Sequence, residues 1–76
     1  MNKARREKLK TAVGFLEIAS GIVSSVQDAE SDSVENVPEN LQGSDRYSRM
    51  EEICEDLDEA VSNIDDAISK IESSIL

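Results

Sequence analysis

The segment beginning at Leu57 is a seven-residue repeat written three times, as Leu57–Asn63, Ile64–Lys70 and the shortened Ile71–Leu76. Apolar residues recur three and four apart at Met50, Ile53, Leu57, Ala60/Val61, Ile64, Ala67/Ile68, Ile71 and Ile75, the period of an amphipathic helix. Such a stripe has to be buried against other helices. The expected fold class is therefore all-α: a long antiparallel helical hairpin that assembles as a homo-oligomeric helical bundle.

Size sharpens that expectation. A chain of 76 residues makes one small domain and buries little apolar surface by itself, so disulfides, metal or oligomerisation usually assist. The lone Cys54 cannot close an internal disulfide, and without histidine or a cysteine cluster no zinc site can be built. Self-association is the remaining aid, and no cofactor or metal is expected.

The first helix is predicted from about Lys3 to about Ser33. With Leu9 at heptad position a, Leu16 and Val23 share it. Ala12, Ala19 and Val26 then fall at d, and Phe15, Ile22 and Ala29 at g. A fainter stripe runs through Gly14, Ile18 and Gly21. Each glycine costs up to about 1 kcal/mol relative to alanine inside a helix, a cost explained if another backbone approaches closely there. From Thr11 to Val26 the sole charge is Glu17, so this helix belongs at the centre of a bundle. The basic start followed by an apolar run imitates a secretory signal. Glu17 interrupts it, and its roughly 16 residues fall short of the ~20 that span a bilayer, so no membrane partner is expected.

Residues 34–44 form the connector. Pro38 biases Val37 out of the helical region, Gly43 offers a turn, and Ser44 can cap the next helix. Ser48 with Glu51 is a second candidate cap, so the second helix should start at 45 or 49 and run to about Ser74. Val37 and Leu41 are expected to fold over the bundle end. On the second helix the apolar stripe occupies a, d and e, while acids collect at b and c. Small residues at d (Ala60, Ala67, Ser74) permit close packing. The interface between chains is expected to use Leu9, Leu16, Ile18, Ile22, Val23 and Val26 with Leu57, Ala60, Ile64, Ala67 and Ile71.

The net charge of −9 is unevenly spread: residues 1–10 carry Lys3, Arg5, Arg6, Lys8 and Lys10 against Glu7. The other 66 residues hold three basic and sixteen acidic groups. Catalysis finds little to work with. Histidine, the usual general base, is absent, as are a glycine-rich phosphate loop, a serine-nucleophile motif and a calcium loop around Asp56, Asp58 and Glu59. Cys54 reads as a small packing residue. The acidic b/c stripe reads as a solvated face; imitation of a phosphate backbone is an alternative, and direct nucleic-acid binding is not expected of it.

One cluster is more pointed. Arg46, Tyr47 and Arg49 hold two of the three basic residues outside the arm and the single tyrosine, at a helix start whose free N–H groups favour anions. Two guanidinium groups and a stacking ring suit a nucleotide. An isologous antiparallel dimer would add Arg5, Arg6 and Lys10 from a second copy. The plainer reading pairs the arginines with Glu51 and Glu52 and packs Tyr47 over the hairpin end.

The run Val37-Pro38-Glu39-Asn40-Leu41-Gln42-Gly43-Ser44-Asp45-Arg46-Tyr47, followed by Met50-Glu51 and the Asp/Glu-rich heptads, resembles small uncharacterised helical-hairpin accessory proteins encoded by phages and mobile elements of Gram-positive bacteria. The basic start at Asn2-Lys3-Ala4-Arg5-Arg6 is similar as well, so the likeness covers most of the chain. Gly14 and Gly21 depart from it. The resemblance implies a cytoplasmic setting in a bacterial host and an accessory role, often opposed to host defence. The expected function is then non-enzymatic: binding that sequesters a nucleotide signal or obstructs a host defence protein. A structural or scaffolding oligomerisation module is the alternative.

Overall fold

A single proline between two proline-free stretches dictates two helices, and the computed structural model, which describes all residues from Met1 to Leu76, has that order. Helix α1 runs Lys3–Glu35, a 3₁₀ turn follows at Glu39–Leu41, and α2 runs Asp45–Ile75. The two pack side by side as an antiparallel hairpin. Each N-terminus is closed by a side chain, which satisfies one of the backbone donors a helix start leaves free. The Arg5 N–H donates to Asn2 Oδ1 at 2.9 Å, and the Tyr47 N–H donates to Ser44 Oγ at 3.1 Å.

The boundaries depart slightly from the sequence reading. Helix α1 continues past Ser33 to Glu35, because the restriction imposed by Pro38 reaches back only to Val37. Ser48 is an interior helix residue whose N–H donates to the Ser44 carbonyl, so Ser44 and not Ser48 is the cap. Gly43 has no positive φ; the reversal is made by the 3₁₀ turn. Val37 is half-buried as expected, whereas Leu41 stays 52% exposed.

The hairpin is a rod of 60 × 14 × 14 Å with a radius of gyration of 17.4 Å, against about 11 Å for a compact domain of this length. It exposes 5680 Å², while a folded protein of 8.3 kDa typically exposes about 4,600 Å². Val13 is the one residue that is fully buried. Everything else in the seam is half-covered, as two thin helices without a third neighbour must be.

The seam takes the expected a, d and e positions of α2, where Ile53, Leu57, Ala60, Ile64, Ala67 and Ile71 are half-buried. On α1 the buried face differs from the expected a, d and g. Positions a (Leu9, Leu16, Val23) and e (Val13, Ser20, Gln27, Val34) face inward, and Phe15 and Ile22 at g, with Val26 at d, turn outward. Ser20 explains part of this: its hydroxyl donates to Asp65 Oδ1 at 2.9 Å, joining α1 to α2 through a position the heptad frame leaves outside. That bond marks the register, with residue 20 level with residue 65.

At 33 residues, α1 is long and apolar enough to cross a membrane by length and composition alone, a description that the core helix of a soluble protein also meets. Its charges oppose its own dipole. The first turn carries bases and no acids, and the last turn carries acids and no bases, the reverse of the favourable arrangement.

Candidate functional site

The connector is where the chain's polar chemistry gathers. Pro38 and the 3₁₀ turn swing the chain across the rod's end, and the Ser44 cap starts α2 so that its first turn faces back toward the turn. The Ser44 hydroxyl donates to the Leu41 carbonyl at 2.9 Å while accepting from Tyr47, and the Gln42 amide donates to the Val37 carbonyl at 3.3 Å. These bonds hold an open hollow of about 450 Å³ with an apolar floor of Val37, Pro38, Leu41 and Met50 and a polar edge of Asn36, Ser44, Arg46 and Tyr47.

The three members of the expected cluster separate here. Tyr47 is half-buried and lines the hollow, so its ring packs over the hairpin end. Arg49 points elsewhere and forms an ion pair with Glu52 at 3.1 Å, one turn along the exposed side of α2. Arg46 borders the hollow and makes neither an ion pair nor a side-chain hydrogen bond. Its charge faces water beside a ring and a helix N-terminus, a combination that can take an anion with an aromatic or ribose-like body.

The basic arm lies at the opposite end of the 60 Å rod, so Arg5, Arg6 and Lys10 do not meet the connector within one chain. Lys10 pairs with Glu7 at 3.5 Å and borders a second hollow beside Glu72 and Ile75, near the end of α2. The side chains of Arg5 and Arg6 are exposed and unpaired. Met50 and Pro38, which the sequence reading assigns no role at the site, supply much of its floor. The signal for Met50 was present, since it stands one turn after Arg46 on the same helix.

A second surface lies along α1. Phe15, Ile18, Ile22 and Val26 are 47% to 69% exposed and form a continuous apolar stripe away from α2. Ile18, Ile22 and Val26 belong to the expected interface set. The remaining eight (Leu9, Leu16, Val23, Leu57, Ala60, Ile64, Ala67 and Ile71) line the seam within the chain. Phe15, the most exposed of the four, is outside that set. Gly14 and Gly21 flank the stripe, and a methyl group added at either would meet nothing within 4 Å. No close helix approach within the chain therefore accounts for these glycines.

No protein family, curated protein or solved structure matches this chain.

Proposed function

We propose that this protein acts by binding rather than catalysis, as a subunit of a homo-oligomeric helical bundle whose connector ends take up a small anionic nucleotide. The observation that carries the reading is Arg46, an unpaired guanidinium at the edge of an apolar hollow beside Tyr47 and the capped start of α2. In a protein of net charge −9, an arginine left without a carboxylate partner is free to meet an anion from outside. Arg5, Arg6 and Lys10 can join it only from a second copy. The resemblance to phage-encoded hairpin proteins supports the biological form of the reading: a cytoplasmic accessory factor that sequesters a nucleotide signal of host defence, or obstructs a defence protein.

Titration calorimetry with a panel of cyclic and ADP-ribose-type nucleotides, at low and moderate salt, tests it. The expected result is saturable heat with at least one of them, and about 2.7 kcal/mol of added stability at a hundredfold excess over its Kd. Arg46→Ala should remove that gain with helical content intact. Absence of heat across the panel leaves protein-target obstruction or scaffolding. The exposed stripe on α1 favours scaffolding as the second reading, because it calls for a protein neighbour and no ligand.

A further inference from the structure

The apolar stripe of α1 has a direction built into the charges at its two ends. Before it stand Lys3, Arg5, Arg6, Lys8 and Lys10; after it stand Asp28, Glu30, Asp32 and Glu35. The chain does not pair these groups across its own seam. Its two ion pairs, Lys10–Glu7 and Arg49–Glu52, each stay within one helix. The hairpin even concentrates the imbalance. With residue 20 level with residue 65, the acidic end of α1 lies beside the stretch of α2 that carries Glu51, Glu52, Glu55 and Asp56.

We infer that the stripe is covered by a second copy of the chain, with the two α1 helices antiparallel about a two-fold axis between Ile18 and Ile22. This rests on the homo-oligomer reading above and adds its geometry. In that arrangement the apolar stretches from Phe15 to Val26 lie against each other. Lys8, on the stripe's own side of α1, comes level with the partner's Glu30 and Asp32, whereas Arg6 and Glu35 stand on the far side of the helix and Lys10 borders α2. Opposed charges then meet at both ends, where a parallel pairing would set base against base and acid against acid. The α1 dipoles also run antiparallel, so each helix start, crowded with its own bases, gains the partner's acids beside it.

The rod exposes about 1,100 Å² more than the ~4,600 Å² typical of its mass, surface that association with a second copy would reduce. Gly14 and Gly21, with open space where a side chain would stand, let the partner's helix approach on one flank. The same geometry carries each basic arm toward the partner's connector.

The test uses the full chain with Cys54→Ser and one new cysteine, joined by a short thiol-to-thiol cross-linker. Ile18→Cys, beside the axis, should cross-link into a covalent dimer. Ala4→Cys, on the same face but more than about 40 Å from its counterpart, should not. Ile18→Asp should weaken association on the order of a hundredfold, since it puts an unpaired charge at the centre of the contact. Efficient linking through Ala4→Cys would keep a dimer but make it parallel, overturning this geometry alone. A helical monomer in sedimentation, or an unaltered affinity in Ile18→Asp, would overturn the second copy as occupant. Flotation of the wild-type protein with neutral phospholipid vesicles would replace it with a membrane.

Discussion

The Ser20 hydroxyl donates to Asp65 Oδ1 at 2.9 Å, and this is the one side-chain hydrogen bond that joins α1 to α2. A sliding seam of Leu, Ile, Val and Ala has many near-equivalent registers one turn apart. A polar pair that can form at one height only favours that register over its neighbours, although this one lies at the solvent-exposed edge of the seam. Ser20→Ala should therefore lower stability by about 0.5–1.5 kcal/mol in urea unfolding, with Asp65→Ala no worse in combination than alone. Additive losses would mean that the two residues act separately.

Ala60 and Ala67 place small side chains in the seam, where they permit a close approach of the helices. Both are half-buried in the seam, and enlarging them should force the helices apart. Ala60→Leu and Ala67→Leu should each cost about 1–3 kcal/mol by overpacking. A rise in melting temperature in the double variant would show that these positions look onto free space.

The cap assignment has a direct check. Ser44 accepts from the Tyr47 N–H, while Ser48 lies inside the helix. Ser44→Ala should destabilise by about 1 kcal/mol, and Ser48→Ala should change little. Equal losses would move the start of α2.

How much of this was legible in the sequence depends on the helix. Heptads from Leu57 onward show one apolar stripe and one acidic back, so the inward face of α2 could be read directly. Helix α1 has apolar residues on either side of Leu9, Leu16 and Val23, and the a/d/g and a/d/e frames fit it almost equally. The e side faces inward, where Val13 is fully buried and Ser20, a polar residue that periodicity assigns outside, donates to Asp65 at b. At the connector, the Arg49–Glu52 pair follows from their spacing of three on a helix. The same spacing leaves Arg46 without a partner on its own helix, since Arg49 and Met50 stand three and four residues on.

The two glycines separate helix propensity from packing. Neither Gly14 nor Gly21 has anything near it within the chain, so in an isolated hairpin alanine should stabilise by up to about 1 kcal/mol per site. With a partner's helix on that face, Gly21→Ala should instead raise the dissociation constant of the dimer, measured by dilution. A gain in stability with unchanged association would place the contact elsewhere.

On the proposed reading, a rod with one fully buried residue completes its fold with a second copy of itself. Sedimentation velocity of the wild-type chain across micromolar concentrations addresses it most directly. The expected result is an assembly of at least twice the 8.3 kDa chain, whose helical signal is lost together with the assembly on dilution. A single-chain species that keeps full helicity at those concentrations would contradict it.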